Sequence, residues 1–140
     1  MFTSYDTRFG HYADFKVAYR FYNLEEGGRK MAPYQGYRSD FWYEHSEHST
    51  KQIFMIYPEF EDKDRAIITN SEVSVPEKGK ARMWILAPQM RSYHRDKIKI
   101  GLACYFMEGP RRVAECTVIE IINLLINPRL PIEVNGTRYE

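Results

Sequence analysis

The chain has 140 residues, enough for one domain with a real core and too few for two. Its 44% hydrophobic and 15% aromatic content excludes a disordered polar chain. Lys plus Arg number 20 against 19 for Asp plus Glu, a formal charge of +1, which excludes nucleic-acid binding driven by overall basicity. Any contact with a phosphate backbone needs a local patch. The most apolar run, Val118 to Ile126, is interrupted by Glu120 and Asn123, so no membrane span is expected. Met1-Phe2-Thr3-Ser4-Tyr5-Asp6 lacks a basic segment followed by an apolar one, and no secretory signal is read there. With two cysteines and no signal, the expectation is a reducing, cytoplasmic compartment.

Residues 1–13 are polar and aromatic without a clear period and read as an N-terminal arm or a short extra strand. Residues 14–122 read as the domain proper, and 123–140 as a C-terminal extension. Asp14–Tyr22 is the first strand: Phe15, Val17, Tyr19 and Phe21 share one parity while Lys16 and Arg20 take the other. A long loop follows, with Gly27, Gly28 and Gly36 among basic residues and a proline; these glycines are expected to shape its backbone. Ser39–Tyr43, with Phe41-Trp42-Tyr43, is a second strand, followed by the polar run Glu44 to Thr50. Gln52–Tyr57 is a third strand, and Pro58 to Asp64 has turn composition. Ala66–Thr69 and Glu72–Val75 are short strand candidates, Pro76 to Gly79 a turn, and Ala81–Leu86 a strand.

Lys97–Met107 alternates most clearly, with Ile98, Ile100, Leu102, Cys104 and Phe106 on one face and Lys97 and Lys99 on the other. Gly109-Pro110-Arg111 then turns the chain. A three-residue loop there sets Glu108 opposite Arg112, Phe106 opposite Ala114 and Cys104 opposite Cys116. The return segment competes as a helix over Val113–Ile126, but its β-branched residues and the preceding hairpin favour a strand to Ile122. In the extension, Val134-Asn135-Gly136-Thr137 has the composition of a tight hairpin turn. Many short strands with turn punctuation and little helix imply an all-β chain, a small barrel or sandwich.

Candidate chemistry is sparse. There is no glycine-rich loop ending in Gly-Lys-Ser/Thr, so no nucleotide site is expected. His45 and His48 lie three apart beside Glu44 and Glu47, with His11 and His94 distant; zinc needs three or four convergent ligands, and the pattern reads as a polar strand end. Glu59, Glu61, Asp62 and Asp64 lack the glycine and the closing glutamate of a calcium loop and read as a solvated turn. Cys104 and Cys116 read as buried reduced thiols acting as small apolar side chains. No nucleophile, base and orienting acid assemble, so no catalytic residue, metal or cofactor is assigned.

The residues Glu25-Glu26-Gly27-Gly28-Arg29-Lys30, then Gly36-Tyr37-Arg38 and Phe41, resemble the opening of the third domain of elongation factor Tu. That family reads Glu-Gly-Gly-Arg-His-Thr-Pro, then Gly-Tyr-Arg-Pro-Gln-Phe-Tyr-Phe, at the same spacing. Phe106-Met107-Glu108-Gly109-Pro110-Arg111-Arg112-Val113 resembles its closing hairpin, Ile-Arg-Glu-Gly-Gly-Arg-Thr-Val. The resemblance covers roughly Asp14 to Ile122 and implies a closed six-stranded antiparallel barrel without its GTPase partner domain.

It also implies a site. Arg29, Lys30 and Arg38 match positions that help hold the T-stem backbone of tRNA. Gly109 matches a glycine where RNA approaches closely, and Arg111 beside it is either structural or a contact. Such a site grips phosphates rather than base edges. The chain departs from the family at Met31-Ala32 and Pro33, at Ser39-Asp40, at Glu44 and at Pro110. Asp40 and Glu44 each oppose phosphate binding by about 1 kcal/mol if solvent-exposed. Two functions follow: a non-catalytic module that binds an unidentified protein partner, with a link to translation, or a weak RNA-binding module acting through Arg29, Lys30 and Arg38. Near-neutral charge and 11 tyrosines favour the first.

Overall fold

The computed structural model describes residues 2–44, 53–127, 132–134 and 137–139. Six strands, β1 (Phe15–Phe21), β2 (Asp40–Trp42), β3 (Ile56–Phe60), β4 (Lys78–Ile85), β5 (Ala103–Glu108) and β6 (Arg111–Ile121), form one antiparallel sheet in the order β2-β5-β6-β1-β4-β3. β1 lies inside it, paired with β4 and β6, and its alternation is realised: Phe15, Val17, Tyr19 and Phe21 are buried while Lys16, Ala18 and Arg20 are half-buried on the other face. The sheet curls, and its concave side gathers the core. Phe106 of β5 lies 5.9 Å from Tyr19, 5.9 Å from Phe21, 6.5 Å from Phe41 and 6.2 Å from Phe60, so one ring links residues from opposite ends of the sheet. Each such buried aromatic contributes roughly 1.5–3 kcal/mol.

The closed barrel expected from the resemblance is not formed; the sheet is a half-barrel. β2 has three residues and β3 begins only at Ile56, so among the described residues these edges meet at a single bridge, Phe41–Phe54, rather than along a ladder. The long loop after β1 lies over the remaining gap. Gln35 acts there as a surrogate strand: its side chain donates to the Phe60 and Ile68 carbonyls at 2.7 and 3.0 Å and accepts the Phe60 N–H at 2.8 Å. Pro58 sits in β3 with no N–H to offer, as an edge strand permits.

On the convex side the N-terminal arm is a short helix, α1 (Tyr5–Phe9), not a strand. It packs Tyr5 against Trp84 of β4, both about 1% exposed. Beneath it, the buried Glu59 carboxylate accepts the Tyr5 N–H at 2.7 Å and the Trp84 indole N–H at 3.3 Å.

A second helix, α2 (Arg91–Lys97), overturns the expected strand from Lys97, which starts only at Ala103; Ile98 caps the helix and Ile100 is 68% exposed. α2 is tied down by a buried ion pair. Arg91 meets Asp14, which also accepts the Ile85 N–H and the Asn127 amide, both at 2.8 Å, while Arg91 donates to the Ile85 carbonyl at 2.7 Å.

Smaller corrections follow the same logic. The expected turn at Pro58 starts only after Phe60, as an Asp62–Arg65 turn in which the Asp62 carboxylate accepts the Asp64 and Ala66 N–H groups. Ala66–Thr69 and Glu72–Val75 supply isolated bridges, Ile67 to Glu61 and Ser74 to Tyr34, instead of strands. Lys78 and Gly79, expected in a turn, open β4.

The hairpin pairs Cys104 with Cys116 and Phe106 with Ala114, as its parity requires. Its loop is two residues, Gly109 and Pro110, and the register shifts beside Val113, so Glu108 faces Arg111 rather than Arg112. Both cysteines are free and buried, and burial pushes the Cys116 thiol up. The return segment is strand to Ile121, with no helix over 113–126. In the extension, β7 (Ile132–Val134) and β8 (Thr137–Tyr139) pair antiparallel with Val134 opposite Thr137; the expected turn residues Asn135 and Gly136 lie outside the described residues. His45 and His48 also lie outside them. No helix among the described residues is long and apolar enough to cross a membrane.

Candidate functional site

The loop after β1 opens with a cap. The Asn23 side chain accepts the Glu26 N–H at 2.9 Å, and the Glu26 carboxylate accepts the Asn23 N–H at 3.0 Å, closing one short helical turn over Leu24–Glu26. Arg20 of β1 grips the same carboxylate with two bonds, at 2.8 and 2.9 Å, which holds its pKa down to about 2. Gly27 ends the turn at φ +89°, a left-handed conformation that strains any residue with a Cβ. Gly28 is buried against the β1 exit: a Cβ there would stand 1.9 Å from the Tyr22 carbonyl oxygen. These two glycines reverse the chain and aim Arg29 at the β5–β6 hairpin. Gly36, at φ +96°, turns the loop again just before Tyr37.

Arg29, Tyr37 and Arg111 converge on Glu108. The Arg29 guanidinium and the Tyr37 hydroxyl both donate to Oε2, and Arg111 donates to Oε1 at 3.0 Å. Arg29 also lies over the Tyr37 ring at 4.8 Å and donates through Nε to the Met31 carbonyl at 3.2 Å. Partial burial works against the Glu108 charge, but the Tyr37 and Arg29 hydrogen bonds, with the Arg29 charge and Arg111, outweigh it and hold its pKa below the ordinary carboxylate value. Burial, then the bond to Glu108, pushes the Tyr37 hydroxyl up.

Between loop and hairpin runs an open groove of about 470 Å³. Gly28, Arg29 and Lys30 line it with Glu108 and Arg111, and its apolar part is Leu24 and Met31, 61% and 67% exposed. Lys30 has no hydrogen-bond or ion-pair partner among the described residues.

The two sequence motifs are therefore joined, but the expected cationic cluster is divided. Arg29, Lys30 and Arg111 share the groove. Arg38 does not line it: its guanidinium lies 5.9 Å from the Tyr57 ring, near Tyr5. Gly109 occupies the hairpin turn at φ +58°, where an added Cβ would meet nothing within 4 Å. Its glycine identity thus follows from backbone conformation. The neighbouring Arg112 stacks on the Tyr105 ring at 3.9 Å. Reading the basic residues alone missed Glu108, although it lies within the hairpin motif itself. It also missed Tyr37, Leu24 and Met31. An acid inside an arginine-bearing motif was the available signal; the exposed apolar pair gave none.

Among the described residues no group of His, Cys, Asp and Glu converges as a metal site. The fold and groove together make a β half-barrel with a charged, apolar-walled cleft between loop and hairpin. No protein-family model matches the chain, and no curated protein is detectably similar to it.

Proposed function

We propose that this chain is a non-catalytic binding module, akin to the third barrel domain of elongation factor Tu, whose partner in the cytoplasm is a protein. One observation carries the reading: Arg29, the loop arginine that a phosphate backbone would need, is already held by Glu108, and Arg38 stands outside the groove beside Tyr57. Removing Arg29 from Glu108 to serve a phosphate exchanges one charge-assisted bond for another, so little affinity is gained. Support for the kinship comes from the same residues. Arg29, Tyr37, Glu108 and Arg111 are among the positions at which the two motifs match, and these four also bind loop to hairpin. Their pattern is that of a structural clasp. Association with translation rests on this kinship alone.

The purified domain, immobilised and exposed to nuclease-treated lysate, is expected to retain a defined protein, and to lose it when Glu108→Lys opens the clasp. Recovery of RNA-bridged proteins alone refutes the reading. The second reading, RNA-backbone binding through Arg29, Lys30 and Arg38, has one observation in its favour: three cations against one carboxylate around the groove. It predicts salt-sensitive retention of tRNA that weakens several-fold in Arg29→Ala and Arg38→Ala. Protein binding predicts no such loss.

A further inference from the structure

The groove carries more donors than its own carboxylate can satisfy. Glu108 takes Nη1 of Arg29, the Tyr37 hydroxyl and Nη2 of Arg111. Among the described residues, Nε and Nη1 of Arg111 and the whole Lys30 ammonium have no acceptor. The groove therefore has two cationic charges in excess, in a chain whose formal total is +1. A carboxylate beside Glu108 would find an Arg fork, one edge of it fixed by the protein, and the Lys30 ammonium along the same groove. The walls add a second requirement. Leu24 and Met31, each more than half exposed, flank these donors, and an unbranched Met adapts its shape to an apolar side chain.

We infer that the groove receives a peptide segment of a protein partner in which acidic residues alternate with apolar ones, an acid side chain reaching Arg111 and Lys30 and an apolar side chain lying between Leu24 and Met31. This deepens the protein-binding reading and rests on it. A phosphate backbone satisfies the cations equally but has nothing for Leu24 and Met31, which is why the peptide is favoured.

The test uses the whole chain and a fluorescein-labelled synthetic peptide of alternating glutamate and leucine, with a lysine-for-glutamate peptide and unlabelled tRNA as comparators. Anisotropy is expected to show binding of the acidic peptide, absent for the lysine peptide. Affinity should fall about fivefold or more in both Lys30→Glu and Met31→Ser, surface changes that leave the clasp intact. Methyl resonances of Leu24 and Met31 should shift on addition of the acidic peptide. Equal binding of both peptides, or affinity unchanged by Met31→Ser, overturns the inference. So does tRNA that shifts those methyl resonances and displaces the peptide, since the groove is then a nucleic-acid site. If the peptide fails while a protein is still captured from nuclease-treated lysate, the module binds its partner elsewhere and only this inference falls.

Discussion

Replacing Asp14 with alanine tests the buried knot that fastens α2 to the sheet. The Asp14 side chain is fully buried and that of Arg91 is 4% exposed, so the guanidinium cannot turn to water when its partner is removed. It keeps one acceptor, the Ile85 carbonyl at 2.7 Å. Two further donors, the Ile85 N–H and the Asn127 amide, lose an acceptor at 2.8 Å. An uncompensated buried cation dominates these losses, and breaking such a pair costs about 3–5 kcal/mol. In a chain of this size that lowers the melting temperature by roughly 10–15 °C.

Urea unfolding followed by the fluorescence of the two tryptophans, half-buried Trp42 and buried Trp84, measures it. Asp14→Asn, which keeps the shape and one acceptor, should lose clearly less. Arg91→Met combined with Asp14→Leu should recover only part of the loss, because the Ile85 N–H and carbonyl at the end of β4 still lack partners. A loss below about 1 kcal/mol for Asp14→Ala would refute the reasoning, since that is the range of an exposed pair.

Gly28→Ala is expected to destabilise by about 2 kcal/mol or more, because its Cβ would collide with the Tyr22 backbone rather than a yielding side chain; NMR should show Arg29 released from Glu108, and an unperturbed spectrum refutes this. The folded pKa of Glu26 lies below its ordinary value of 4.5, so its contribution is present above that value and lost as pH falls toward about 2. Wild type and Glu26→Gln should accordingly differ in stability near neutral pH and converge in acid. Glu59 has the opposite sign: burial raises its pKa above bonds from Tyr5 and Trp84 that would lower it. Its contribution is complete below the ordinary carboxylate pKa and diminishes as pH rises through the raised value, a dependence that Glu59→Gln should flatten. Cys104 and Cys116 should resist a thiol reagent in the native protein and react in urea; rapid native labelling would contradict their burial.

Sequence parity was informative where both faces of a segment differ over several residues. β1 and the Cys104–Cys116 register were readable because each strand has a core side and a solvent side. The same rule failed at Ile98, Ile100 and Leu102. There, three apolar residues at even spacing span a helix cap and a turn, and α2 owes its place to Arg91 meeting an acid 77 residues earlier. No local pattern encodes that pairing. Pro58 misled for a related reason: it breaks an interior strand, but β3 is an edge, and which strand is an edge is a property of the whole sheet. For the groove, the motifs correctly indicated that loop and hairpin belong together. They did not indicate that Glu108 would occupy the arginines, because charge neutralisation depends on the register at Val113, where one extra residue brings Glu108 opposite Arg111.

The Gln35 amide has a consequence for how the protein behaves in company. By occupying both the N–H and the carbonyl of Phe60, it deprives a neighbouring molecule of the template on which another strand could grow. A leucine at position 35 would fill similar space but strand the Phe60 N–H, while the carbonyl keeps the Ile68 N–H at 3.1 Å, so Gln35→Leu should self-associate more than the parent at high concentration.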